Sequence, residues 1–240
     1  MKKIALAALG LGALAGPAFA ADMPVKAPPP APAPAYSWTG CYIGGHFGGL
    51  WADKEWTNRT PGSTFNGQSR GDNNVDSWLA GVQAGCDYEF SGGYLVGVQG
   101  DYAWTNGTGS HTDPITPAYT DSANIKSLAS VTGRAGYAWN RFLGYVKGGG
   151  AWERDDYRIT GTLVGVAVDV SADETRSGWT AGVGGEYAFT NFLSGFVEYD
   201  YYDFGTRDLT FSPDSLGRIQ IVGIRETKSV VKAGLNWRFH

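Results

Sequence analysis

The sequence predicts an all-β fold, an eight-stranded antiparallel transmembrane β-barrel, and three observations lead to it. Apolar and polar residues alternate with period two along eight segments, as in strands with two different faces. Along the chain, very short connections between these segments alternate with long ones. Aromatic residues crowd the segment ends. Short turns on one side, long loops on the other and two aromatic girdles are typical of barrels that span an outer membrane.

The hairpin of residues 77–104 shows the pattern most clearly. Every second residue from Trp78 to Phe90 is uncharged, and the alternation resumes after a short Gly-rich turn at 91–93. The aromatic residues of the apolar face lie at its two ends. Trp78 and Tyr88 are ten steps apart, which at roughly 3.3 Å per residue and a tilt near 45° gives about 23 Å along the membrane normal. This is close to the ~25 Å apolar band of outer-membrane barrels.

Residues 1–20 have the three parts of a secretory signal. Lys2 and Lys3 give the positive start, residues 4–16 are apolar but too short to span a membrane, and residues 18–20 are the small-x-small cleavage site. The alternative is an N-terminal helix of the domain. Because a proline-rich segment follows at once, we expect a signal and export through the Sec pathway.

Residues 21–37 form a Pro/Ala-rich spacer with six prolines between Pro24 and Pro34. Such a segment favours an extended polyproline conformation. We expect a periplasmic tether, with a contact to the cell wall as the alternative.

The barrel domain is predicted to cover residues 38–240. Two apolar tracts, 163–168 and 219–224, leave open whether long loops extend the strands or pack on themselves. The predicted strands are 40–51, 77–90, 94–104, 125–139, 142–152, 178–189, 192–203 and 228–239, and the long extracellular loops are 52–76, 105–124, 153–177 and 204–227.

The tryptophans give an independent check, because indole rings prefer the membrane interface. Only Trp56 lies inside a predicted loop, and Trp38 is expected at the turn ends. The predicted girdle consists of Trp51, Trp78, Trp104, Trp139, Trp152, Trp179 and Trp237.

Several charged residues face the barrel interior by alternation. Buried charges must pair or stay hydrated, so they form either a salt-bridge network that plugs the lumen or a narrow hydrated pore whose selectivity they set. Arg134 is expected to pair with inward carboxylates such as Asp101 or Glu186. The predicted lumen charges are Asp87, Glu89, Asp101, Lys126, Arg134, Lys147, Glu186, Glu198, Asp200, Lys232 and Arg238.

Cys41 and Cys86 share the outward face of adjacent strands near their periplasmic ends. The periplasm is oxidising, so a cross-strand disulfide is one interpretation and two thiols facing lipid is the other.

Composition excludes several classes of protein. Mean hydropathy is −0.22 and the body has no long apolar run, which argues against a helical membrane protein. A net charge of −4 argues against nucleic-acid binding. The three histidines do not combine with a strand-borne Ser or acid into a triad, and the glycines at 182–185 lack the features of a phosphate loop. We expect no enzyme activity, no cofactor and no metal.

Three stretches carry a family resemblance: WTGCYIGG at 38–45, TGRAGYAW at 132–139 and VKAGLNWRF at 231–239. Together they resemble the alphaproteobacterial outer-membrane immunogenic protein family of small OmpA-like barrels. The resemblance implies an eight-stranded barrel inserted by the outer-membrane assembly machinery, with Phe239 as the assembly signal. His240 follows Phe239 where the family ends on the aromatic, and Cys41 stands where an aromatic is common.

The expected function is structural: a monomeric surface protein that contacts lipid and lipopolysaccharide, supports envelope integrity and presents its loops. The alternative is a narrow porin-like channel for ions or small solutes. A soluble lipocalin-like binder is third, because alternation alone does not say which face points inward.

Overall fold

A computed structural model describes residues 36–64, 66–112, 119–163, 166–211 and 220–239. The predicted signal, nearly all of the spacer and His240 lie outside the described residues. The strands are β1 (Gly40–Asn58), β2 (Ser69–Glu89), β3 (Tyr94–Thr112), β4 (Tyr119–Trp139), β5 (Phe142–Leu163), β6 (Val166–Ala188), β7 (Leu193–Phe211) and β8 (Gln220–Phe239).

These eight strands close into one barrel. Each strand pairs antiparallel with the next, and β1 pairs with β8. The short connections β2–β3, β4–β5 and β6–β7 lie together at one end, called the turn end here, and the opposite end is the loop end. Asn140 at the β4–β5 turn takes a left-handed φ of 57°, which asparagine tolerates better than most residues. Among the described residues, no helix is long and apolar enough to cross a bilayer.

The strands agree with the predicted ones at the turn end and extend well beyond them at the loop end. The predicted loop 153–177 is mostly strand, since β5 and β6 stay paired from Phe142↔Tyr187 to Leu163↔Val166. Of the two interpretations of the tract 163–168, strand extension is the correct one for its described residues. The two strands stay paired above the membrane because their backbone hydrogen bonds form whether or not the side chains of the outer face are apolar.

The outward faces carry two aromatic girdles. All seven predicted girdle tryptophans are exposed on the barrel wall. Trp38 lies at the turn end, as expected, but is fully buried there. The expectation was wrong for Trp56, which is 4% exposed on the inward face of β1 and not in a loop.

Candidate functional site in the barrel lumen

The lumen is filled by side chains in layers, and β8 passes through all of them. Its inward residues include, from the turn end, Arg238, Asn236, Lys232, Val230, Lys228, Glu226 and Ile224, each at most 2% exposed. Charged and apolar residues therefore follow one another along the barrel axis. An interior of eight strands is just wide enough for side chains to fill.

The first layer is a turn-end cap made of apolar and aromatic residues. The Trp38 indole Nε1 donates to the Asn140 carbonyl at 2.9 Å, and its backbone N donates to Glu89 at 2.8 Å. The predicted lumen residue Glu89 is thus half-buried and anchors the chain that enters the barrel. The cap consists of Tyr36, Trp38, Leu95, Ala138, Leu143, Tyr145 and Ala188.

The lower cluster consists of Asp87, Arg134, Glu186 and Arg238. Arg134 grips Asp87 with two nitrogens, one at 2.6 Å, and reaches Glu186 at 3.4 Å. Arg238 lies 3.0 Å from both carboxylates. The cluster contains two cations and two anions, so it is neutral. Of the partners expected for Arg134, Glu186 is observed and Asp101 is not, because Asp101 lies in the next layer.

Aromatic rings and amides complete the lower cluster. The Arg134 guanidinium lies 5.0 Å and 4.6 Å from the ring centres of Tyr42 and Tyr145, within cation–π range. Ser194 and Asn236 donate to Glu186 at 2.6 Å and 2.9 Å. Such hydrogen bonds are what makes burying a carboxylate tolerable.

The middle cluster consists of Asp101, Lys147, Glu198, Asp200 and Lys232. Each lysine lies 2.9–3.1 Å from both Glu198 and Asp200, and Asp101 accepts from Ser130 at 2.6 Å. Two cations face three carboxylates, so this layer has one acid in excess.

His46 lies beside the middle cluster. It is 6% exposed and interacts electrostatically with Lys232, Asp101 and Glu198. Neither ring nitrogen has a hydrogen-bond partner among the described residues. His46 is therefore an inward lumen residue, as its alternation predicted.

An apolar belt separates the middle cluster from the loop end. It crosses the barrel near the loop-end tryptophans, and the Tyr202 and Phe204 rings stack in it with centres 6.3 Å apart. Its members are Leu50, Ala52, Val75, Leu79, Ala103, Ile125, Leu128, Ala151, Tyr202, Phe204 and Val230.

The upper cluster lies beyond the belt and contains three cations and three carboxylates, all buried. Lys54 lies 3.3 Å from Asp155 and 3.0 Å from Glu226. Lys228 pairs with Glu153 and lies 3.1 Å from Glu226, and Arg176 lies 3.6 Å from Glu226. The members are Lys54, Glu153, Asp155, Arg176, Glu226 and Lys228.

Glu226 is the centre of this cluster. Burial opposes its ionisation, but the nearby Lys228, Lys54 and Arg176 outweigh that effect and lower the pKa of Glu226 to about 2. Oxygens of Glu153, Asp155 and Glu226 lie within 4.8 Å of one another. Because three buried cations already balance these carboxylates, the arrangement suits an internal ion-pair network better than a metal site.

The prediction for Lys126 was wrong. Its side chain is 51% exposed and pairs with Asp156 on the outer wall. A register shift between Ile125 and Ser127 reverses the alternation there, as a β-bulge does. A bulge in polar sequence leaves no mark in the alternation, so the sequence could not show it.

Sequence reasoning missed the upper cluster, apart from treating Lys228 as the start of the last strand. Its residues had been assigned to loops or to strand ends. The available signal was the period of two on β8, which continues towards the loop end: Ile224 and Glu226 precede Lys228 at alternate positions.

Cys41 and Cys86 are directly opposite in the β1–β2 register, and the structure joins them by a disulfide on the outer wall. Their Cα atoms are 3.9 Å apart. Of the two interpretations, the geometry favours the cross-strand bridge. Its formation in the protein stays a prediction.

Comparison with known families gives a match over nearly the whole sequence. The family model described as "Outer membrane protein beta-barrel domain" matches residues 5–239. The 31 kDa outer-membrane immunogenic protein of Brucella melitensis biotype 1 is 30% identical over 253 residues, which covers 100% of both chains. The 25 kDa outer-membrane immunogenic protein of Brucella abortus biovar 1 is 30% identical over 217 residues, 87% of each.

Solved structures give the same fold at low identity. The outer membrane protease OmpT from Escherichia coli has a TM-score of 0.54 at 9% identity and covers 87% of this chain and 99% of its own. The outer membrane protein OprG from Pseudomonas aeruginosa has a TM-score of 0.54 at 13% identity, with 85% and 98% covered. At these identities the similarity concerns the fold alone.

Proposed function

The chain belongs to the outer membrane β-barrel domain family, and on that premise we propose that it is a structural outer-membrane protein whose lumen is closed by its own side chains. The barrel lies in the outer membrane of a Gram-negative cell, in contact with lipid, with its turn end in the periplasm and its loop end outside. The proposal concerns the role of the lumen and of the surface.

The layered lumen is the observation that carries this proposal. A conducting path needs a continuous column of water, yet the charges of all three clusters are nearly fully buried and paired with one another. The apolar belt then interrupts any polar path between the middle and upper clusters. A constriction lined by apolar side chains resists wetting and blocks ions.

Planar-bilayer conductance of the refolded protein tests the closed lumen. We expect no reproducible steps from the unmodified barrel, with insertion verified by heat-modifiable gel mobility. The matched comparison is the Tyr202→Ala/Phe204→Ala variant, which removes the two stacked rings of the apolar belt and should produce small steps. Steps of equal size from both proteins would contradict a lumen closed by that belt.

A narrow channel is the second candidate, and the middle cluster favours it. Oδ1 of Asp200 and both ring nitrogens of His46 lack hydrogen-bond partners among the described residues. Buried polar atoms of this kind are where internal water is found. With an acid in excess, such a channel would select cations, and reversal potentials in a salt gradient would show it.

The loop end supports the surface part of the proposal. All eight strands extend beyond the loop-end girdle, and the relatives in Brucella are named outer-membrane immunogenic proteins. We infer that this chain presents its loop end, for example residues 59–64, to the exterior and to lipopolysaccharide. Antibodies against those residues should label intact cells, and labelling only after permeabilisation would contradict the inference.

Phe239 fits the role of an assembly signal. It is the last residue of β8, lies opposite Cys41 in the β1–β8 register and is exposed on the outer wall. We propose that the outer-membrane assembly machinery reads this aromatic end, that the inserted barrel is a monomer and that it performs no catalysis. Phe239→Ala should lower the amount of assembled barrel in cells without changing refolding in detergent.

A further inference from the structure

The backbone hydrogen-bond ladder of the barrel wall is interrupted above the loop-end girdle. Among the described residues, β2 and β3 pair only from Glu89↔Leu95 to Leu79↔Thr105. β6 and β7 likewise pair only from Ala188↔Ser194 to Trp179↔Asp203. All four strands continue beyond these points, so each has one edge without a strand partner in the part of the chain that the structure describes.

A bulge lies at the base of each of these two seams. In β3 the register shifts between Trp104 and Gly107, and in β7 it shifts between Asp203 and Gly205. Gly205 has a left-handed φ of 66°, and its N–H donates to the Asp203 side chain at 2.8 Å. Because bulges bend and twist a strand, the backbone ladders of β2–β3 and of β6–β7 end here, although a side-chain contact between Arg207 and Ser177, at 3.2 Å, still crosses the second seam.

The two seams divide the loop end into two leaves. Leaf one consists of the outer parts of β7, β8, β1 and β2, which stay paired as far as Phe211↔Gln220, Asn58↔Val222 and Thr57↔Ser69. Leaf two consists of the outer parts of β3, β4, β5 and β6, which stay paired to Thr112↔Thr120, Tyr119↔Gly161 and Leu163↔Val166. The seams lie four strands apart, on opposite sides of the barrel.

The upper cluster joins these leaves across the lumen. Lys54 of β1 pairs with Asp155 of β5, and Lys228 of β8 pairs with Glu153 of β5. Arg176 of β6 pairs with Glu226 of β8 and also donates to the carbonyl of Ile224, at 3.4 Å. All three of these ion pairs cross from one leaf to the other.

We propose that the upper cluster is a clasp that holds the two extracellular leaves together, and that the leaves hinge apart at the two bulges when the clasp is broken. Leaf one contributes two lysines and Glu226, and leaf two contributes two acids and Arg176. Each leaf alone would bury an uncompensated charge, so the charges are stable only when the leaves meet. A partner that enters between the leaves must displace this clasp.

Distances across a seam test the clasp. Spin labels on cysteines placed at exposed Asn74 of β2 and Thr108 of β3 report the β2–β3 separation in the refolded full-length barrel. The Glu153→Gln/Asp155→Asn variant removes the two carboxylates that leaf two contributes to the upper cluster, so that the three cations of the cluster face one of its carboxylates, Glu226. We expect a broader distance distribution with a longer mean, and faster hydrogen exchange of residues 69–77, while heat-modifiable mobility stays unchanged.

The matched control is Asp156→Asn, which breaks the Lys126–Asp156 pair between β4 and β5 of leaf two. This pair lies at a similar height but joins two strands of the same leaf, so its loss should leave the distances unchanged. Equal widening in the control, or unchanged distances in the folded double variant, overturns the proposal. If the double variant does not fold, Arg176→Gln is measured instead. It removes the cross-leaf ion pair to Glu226 and the hydrogen bond to the Ile224 carbonyl, and unchanged distances there overturn the proposal equally.

Discussion

Arg134→Met offers the sharpest test of the closed lumen. Methionine is a long, unbranched side chain that still fills the space between the rings of Tyr42 and Tyr145, but it has no charge. Asp87 and Glu186 are then left with Arg238 as the only cation of the lower cluster. A neutral layer becomes a buried layer with one negative charge in excess.

The expected cost follows from the geometry. Arg134 makes two bonds to Asp87 and a weaker contact to Glu186, and its side chain is fully buried. Removing one partner from a buried ion pair typically destabilises by about 3–5 kcal/mol. Arg134→Lys keeps the charge but loses the bidentate contact with Asp87, so we expect it to lower the free energy of unfolding by about 1–2 kcal/mol.

Denaturant unfolding of the refolded barrel in detergent micelles, followed by tryptophan fluorescence, measures these free energies. The compensating variant Arg134→Met/Asp87→Asn restores neutrality and should recover most of the loss, because Arg238 and Glu186 still lie 3.0 Å apart. Arg154→Met, at an exposed position on β5, serves as the control and should change stability by less than about 0.5 kcal/mol. A single variant within about 1 kcal/mol of the unmodified barrel, or a double variant no better than the single one, would refute the reasoning.

Three further predictions follow from the same structure. Asp200→Asn should lower the free energy of unfolding far less than Glu198→Gln in the same assay. The first substitution removes the one carboxylate that the middle cluster has in excess, whereas Glu198 also accepts a hydrogen bond from the Tyr145 hydroxyl at 2.6 Å. Equal losses would argue against one excess acid in the middle cluster. Thiol labelling of the unfolded, unreduced protein should leave Cys41 and Cys86 unmodified, and full labelling would exclude the bridge. The pKa of Glu226 is lowered from 4.5 to about 2, so its contribution to stability is complete above about pH 5 and is lost as the pH falls towards 2. The β2–β3 distance should therefore be the same at pH 7 and pH 5 and increase only in stronger acid, and widening already at pH 5 would contradict the role of Glu226 in the clasp.

The turn-end half of the barrel could be predicted in detail because several signals agree there. Alternation defines the strands, tight turns fix their register, and lipid requires an apolar outer face, so one slipped residue would expose the wrong side chains. The positions of Arg134, Lys147, Glu186, Glu198, Lys232 and Arg238 in the lumen followed from alternation alone. Their individual partners did not, because their ion pairs in the lumen join residues 32 to 151 positions apart in the chain.

The loop end could be predicted only in part. Beyond the girdle both faces of a strand are polar or mixed, so a strand and a polar loop have similar compositions, and the paired extensions of β5 and β6 looked like a long loop. Lys126 shows the same limit, because one extra residue in the bulge moved it from the lumen to the outer wall.

The sequence by itself determined the strand number, the membrane-facing surface, the girdles and the inward charges of the lower and middle clusters, because each of these follows from a local period of two and from the low polarity of lipid. Only the tertiary structure decided how the charges divide into three clusters, that an apolar belt separates the middle cluster from the upper one, and that the backbone pairing of the wall is interrupted at two seams. Those features depend on the strand stagger around the closed barrel and on single-residue bulges. Stagger and bulges bring residues that are distant in sequence to the same position along the barrel axis, and no local sequence pattern predicts that position.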